Sequence, residues 1–238
     1  MKSFAFFALL LAFLRPAFAE VRAEAGFGRC HASASDEGAW YQRGQPHQLQ
    51  LSDNCGEIGA LWSVAHDFSF GARFVNFGQY ATYAIANLDP QDLQAMRGTK
   101  SQDHNRAACQ KQGTENPNHP MIEDCNYRWN GTGHLWGGLF TVAWHPIHIG
   151  DLKLGGELGW IVYKATWRVI VQPTQNNDWQ YQYDQRTSWK KSPEFGVSAY
   201  YKYAYAAYRV YMIPDGAPIT PGYRSPVKQF VLGVSVPF

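Results

Sequence analysis

The chain is short of charge. Asp, Glu, Lys and Arg make up 17% of its 238 residues, against about a quarter in an average soluble domain. No apolar run reaches the ~20 residues that a spanning helix needs, and the mean hydropathy of −0.37 excludes a polytopic helical membrane protein. There is no collagen-like glycine period and no coiled-coil repeat. GxSxG, Walker and dinucleotide motifs are missing, and so is the close CxxC pair of a zinc site. The formal net charge is only +2, which leaves no broad electrostatic surface for nucleic acid. What the chain does have is aromatic side chains, 16% of the total, with 22 Gly and 13 Pro. Disordered chains are poor in aromatics, and this much Gly and Pro disfavours long helices. The composition is that of an all-β protein.

The N-terminus reads as an address. Lys2 supplies a positive start, Phe4 to Leu14 is apolar, Pro16 breaks any helix, and Ala17-Phe18-Ala19 places small residues at a cleavage site. This is the layout of a secretory signal, and the apolar run is too short for a retained anchor. Cleavage between Ala19 and Glu20 is expected, dividing the chain into a signal at 1–19 and one mature domain at 20–238. Removing Lys2 and Arg15 takes away the +2 excess. Export to an oxidising compartment suits the four cysteines, Cys30, Cys55, Cys109 and Cys125. Four cysteines allow three pairings. Cys30–Cys55 and Cys109–Cys125 are favoured because each would clip one polar loop.

The C-terminus is the most informative stretch. Phe230, Leu232, Val234, Val236 and Phe238 share one strand face. The other face carries Val231, Gly233, Ser235 and Pro237, which are small or polar. Lipid-facing barrel strands alternate in this way. The pattern recurs at Val21–Phe27, Ile58–Val64, Phe68–Phe74, Leu152–Val162 and Phe195–Tyr201. His134–Trp144 and Ala204–Ile213 are apolar with no clear phase. Together these give eight strands, an even number as a closed barrel requires. Links near Ala65–Asp67, His145–Gly150 and Lys202–Tyr203 are short. Those at Arg29–Gly56, Gly78–Gly131, Pro173–Thr187 and Pro214–Pro226 are long and polar. Short periplasmic turns and long extracellular loops are the outer-membrane pattern. Trp62, Phe68, Trp144 and Phe238 would form one aromatic girdle, and Trp136, Trp167, Trp189 and Tyr211 the other.

On this phase the inward faces carry Arg22, Glu24, Glu57, Arg73, Lys153, Glu157, Glu194 and Arg209. An eight-stranded barrel is only wide enough for its own side chains to fill. Isolated buried charges are expensive, so ion pairs plugging the bore are expected rather than an open channel. His145-Pro-Ile-His148 has a metal-like spacing but falls in an expected turn with no third ligand near, so no metal site is expected. His66, His134 or His145 beside Ser63 or Ser69 is the nearest approach to hydrolytic chemistry, and no local motif supports it. No catalytic residue and no cofactor is expected.

Taken together, the signal, the alternating strands, the asymmetric links and terminal Phe238 resemble the small eight-stranded outer-membrane barrels of the OmpA/OmpX/OmpW-like class. The segment Gly38–Leu51, with Trp40-Tyr41-Gln42 and Pro46-His47, is also similar to barrel proteins carried by phages and prophages of Gram-negative bacteria. The resemblance implies residence in the bacterial outer membrane, contact with its lipid, and delivery to the barrel-assembly machinery through Phe238. It further implies a monomer that does no enzymatic work and whose disulfide-clipped loops bind, shield or meet phage or host. A narrow conduit for small apolar solutes is the alternative, and a lipid-A-modifying enzyme a distant third. No residue-level site is carried over by this likeness.

Overall fold

A computed structural model describes residues 20–34, 47–87, 126–173, 181–213 and 223–238. The signal segment through Ala19, Cys109, Cys125, and Gly38–Pro46 of the phage-like stretch lie outside the described residues. Ten strand segments are present: β1 (Glu20–Ala34), β2 (His47–Gln50), β3 (Ser52–Ser63), β4 (Phe68–Asn87), β5 (Asn126–Ile149), β6 (Leu152–Pro173), β7 (Tyr181–Arg186), β8 (Lys190–Tyr201), β9 (Ala204–Tyr211) and β10 (Tyr223–Pro237). Two of them prolong others. β2 continues β3 along β4, and β7 continues β8 along β6. The result is eight antiparallel walls in sequence order. β4 pairs with β5, and β1 pairs with β10. The closure joins the first and last walls, so across the apolar band no wall is left as an edge, which hydrocarbon demands.

Alternation fixes which face looks out. Phe230, Leu232 and Val234 are 48%, 56% and 54% exposed, while Ser235 between them and the terminus is 0% exposed. Phe27, Ile58, Phe74, Phe140, Leu158 and Phe195 point outward in the same way. The span from Leu152 to Val162 covers roughly 33 Å at about 3.3 Å per residue. Tilted at the usual angle, that is close to the ~25 Å height of an outer-membrane apolar band. Among the described residues no helix is long and apolar enough to cross a membrane.

The short links lie at one end with both strand termini. Gly150 at φ 61° and Lys202 at φ 51° supply the left-handed residue that a two-residue hairpin between right-twisted strands needs. Two expectations about the links change. His145–Gly150 is not a turn: β5 runs through it to Ile149, with a bulge between Trp144 and Ile147. At the other end β1, β3, β4, β5 and β10 run beyond the expected limits and β7 falls inside the expected Pro173–Thr187 link, which shortens the long links. A second bulge, between Asn76 and Gln79, is built on Gly78 at φ 80°. A side chain there would strike the Asn54 carbonyl, and the Gln79 amide donates to Asp53 at 2.6 Å.

The aromatic girdles are also revised. Phe68 stacks on Trp144 at 6.1 Å, and Trp62 tilts against Phe70 at 6.4 Å near the short-turn end. Trp136 meets Trp189 edge-on at 5.0 Å towards the other end. Trp167 and Tyr211, however, are buried and point into the bore. They stand an odd number of positions from the outward residues Trp160 and Tyr208, and strand alternation turns them inward.

Candidate functional site

The bore is filled in three layers. At the long-link end the filling is apolar: Val75, Phe77, Tyr80, Leu135, Leu139, Ile161, Tyr163, Tyr211 and Val227 pack as one cluster. Cys30 and Cys55 belong to it and form a disulfide. This is the expected pairing, and it does close the first long link. The two cysteines themselves lie on strands, facing inward on the adjacent walls β1 and β3, because those walls continue past them.

Below lies a layer of buried charge. Arg73 Nε donates to Glu24 at 2.7 Å, and its other nitrogens donate to Thr141 at 3.0 Å and Tyr200 at 3.2 Å. Tyr200 donates in turn to Glu24 at 2.9 Å. Arg209 Nη1 donates to Glu57 at 2.7 Å and Nε to Glu157 at 2.8 Å. Glu57 also accepts from Tyr205 at 2.8 Å and Gln229 at 3.1 Å. Glu194 stands 4.0 Å from Arg209 Nε with neither carboxyl oxygen hydrogen-bonded. Inward glycines make room for these long side chains. A Cβ at Gly26 would strike the Tyr205 hydroxyl, and one at Gly71 would strike Thr141 and Arg73.

Six of the eight expected lumen charges therefore meet: Glu24, Glu57, Arg73, Glu157, Glu194 and Arg209. Arg22 and Lys153 do not join them. Arg22 sits at the short-turn mouth, bonded to the Ser235 and Lys202 carbonyls at 2.6 Å each and to Glu20 at 3.2 Å. Lys153 is exposed beside it. The inward phase holds for both, but they stand too near the rim to be buried. The layer thus has four carboxyls against two guanidiniums, not the balanced set that was expected.

The third layer is the mouth, a cavity of about 320 Å³ lined by Arg22, His66, Asp67, His145, Lys153 and Tyr200 among others. His145 turns inward and its Nε2 lies 2.8 Å from Ser198 Oγ. The bulge keeps His148 on the same inward phase, between outward Ile147 and Ile149, and the His148 Nε2 lies 2.9 Å from the His145 carbonyl oxygen. The same nitrogen is 2.9 Å from Asp67 Oδ1, and His66 Nδ1 is 2.7 Å from that carboxylate oxygen. The His66 and His148 rings stack at 4.7 Å. The His66 hydrogen bond, reinforced by His148, holds the Asp67 carboxyl below the usual carboxylate range. Sequence reasoning paired His145 with His148 by spacing. The two rings take different side-chain partners, Ser198 for His145 and Asp67 of the β3–β4 turn for His148.

The fold and its bore define a closed, internally plugged eight-stranded β-barrel of the outer-membrane type. No family model matches the chain, and no curated protein does. Among solved structures it is similar to Ail, the attachment invasion locus protein of Yersinia pestis, at 9% identity, over 92% of this chain and 99% of that one, with a TM-score of 0.45. It is also similar to the translocator domain of the autotransporter NalP from Neisseria meningitidis (11% identity, 100% and 95% covered, TM-score 0.26). An outer membrane channel from Pseudomonas putida F1 gives 7% identity, 92% and 96% coverage and a TM-score of 0.27.

Proposed function

We propose that the chain is a non-enzymatic, non-conducting barrel of the bacterial outer membrane that works through its long links, binding or shielding at the cell surface and meeting phage or host. The stacked apolar and charged layers of the bore carry this reading: a solute would have to displace Arg73 or Arg209 from carboxylates in a low-dielectric interior. The conduit reading has no such support. His145 lines the mouth cavity with its ring turned into the bore onto Ser198 and away from the lipid-facing wall, which disfavours lipid chemistry. On this reading residues 1–19 are removed on export, Phe238 is presented to the assembly machinery, and the barrel sits in lipid as a monomer. Exposed Lys190, Lys191 and Lys228 and half-buried Lys164, towards the long-link end, suit a phosphate-rich outer leaflet.

The test is expression in a Gram-negative host, with cell fractionation and gels of boiled and unboiled samples. An outer-membrane band whose mobility shifts on boiling is expected. Phage adsorption and host-cell adhesion should differ from empty-vector cells and revert when residues 91–122 are deleted. Recovery in the soluble periplasm with no shift would overturn the placement, and surface behaviour unchanged by the full chain would overturn the role.

A further inference from the structure

We propose that His66, Asp67 and His148 form a binding site for a single divalent transition-metal ion of the zinc class at the short-turn rim. Their ligand atoms lie within 4.8 Å of one another. Two edges of the triangle, 2.7 Å and 2.9 Å, are hydrogen bonds, and each would open to the ~3.4 Å that separates tetrahedral donors at metal–ligand distances of about 2.1 Å. Both imidazole nitrogens address one carboxylate oxygen. To bind, each neutral ring moves its proton to the nitrogen facing away from Asp67. This frees the lone pair of His66 Nδ1 and of His148 Nε2, which also gives up its contact with the His145 carbonyl. Two imidazoles and a carboxylate are a donor set that zinc and its neighbours accept.

The frame is fixed by backbone rather than by the ligands. The His145 amide donates to the Asp67 carbonyl at 2.8 Å, tying the β3–β4 turn to β5, and Val64 and Phe68 close the turn itself. The bulge between Trp144 and Ile147 aims His148 at this turn. Bulges are known for re-aiming a side chain. With His66 79% exposed and the mouth cavity beside Asp67, the remaining coordination positions are open to water. The site does not depend on the reading of the long links.

The experiment is calorimetric titration of the refolded, tag-free protein in detergent with Zn²⁺ at pH 7.5. One saturable site per chain is expected. H148A and H66A should each weaken it by at least about tenfold, and H134A should leave it unchanged. Acidification below the usual imidazole pKa of about 6.5 should release the ion. Co²⁺ should give paramagnetically shifted signals from two imidazole rings. The boil-sensitive gel shift reports folding of each variant. D67N, which keeps the turn's shape, supplies an independent loss. The absence of saturable binding, or binding that survives H66A/H148A or D67N in folded protein, would overturn the site.

Discussion

Arg209 is the side chain whose removal most sharply tests the plug. It is fully buried and donates to Glu57 at 2.7 Å and Glu157 at 2.8 Å. Methionine keeps the apolar stem and deletes the charge. R209M would leave four carboxyls facing Arg73 alone. Removing one partner of a buried ion pair costs about 3–5 kcal/mol, because the other charge stays uncompensated. At 1.4 kcal/mol per tenfold change, that is a factor of roughly 100 to 4,000 in the folding equilibrium. Urea titration in lipid vesicles, followed by Trp fluorescence and by the boil-sensitive gel shift, measures it. R209M/E57Q/E157Q should recover at least half of the loss, since neutral amides need no counter-charge. E194Q should cost little, because neither Glu194 oxygen has a hydrogen bond to lose. A loss below about 1 kcal/mol for R209M, or a triple variant worse than the single, would refute the ion-paired plug.

Two further perturbations test the wall. L232R places a cation on the lipid face and should cost about 2–4 kcal/mol if Leu232 lies near the bilayer midplane. Vesicle unfolding reads this, and a neutral result would mean the face is not in lipid. Replacing Cys30 and Cys55 by serine opens a link of 25 residues, worth about 3.5 kcal/mol in the chain-entropy model. The folded protein should also resist dithiothreitol, since both sulfurs belong to the packed bore. Ready reduction without unfolding would contradict their burial.

Much of the barrel was legible because lipid imposes contrast. Phe230–Phe238 and Leu152–Val162 alternate greasy against small or polar, so their phase could be read directly. β9 gave no clear phase: Tyr205, Ala207 and Tyr211 fill the bore while Ala206, Tyr208 and Val210 face out, so apart from Arg209 both faces are apolar. β5 carries Gly131, Gly133 and Gly137 inward, where the neighbours' bulk rather than its own fills the space. The alternation of His47–Leu51 already marked an extension of the second strand, but a ladder such as Tyr181–Arg186, beyond the apolar band, has no lipid face to mark it and was missed. The charges that plug the bore followed from phase, but height along the axis did not, which is why Arg22 and Lys153 were grouped with Arg209. The rim cluster had no local signal at all. His66-Asp67 and His148 lie far apart in sequence, and only the β4–β5 ladder and the bulge unite them.

Single-channel recording in planar bilayers tests the central claim most directly, using protein shown to be folded by its gel shift. A flat baseline at 100 mV is expected from a bore closed by its own side chains. Steady, discrete conductance steps from the same folded material would mean that water threads past Arg73 and Arg209.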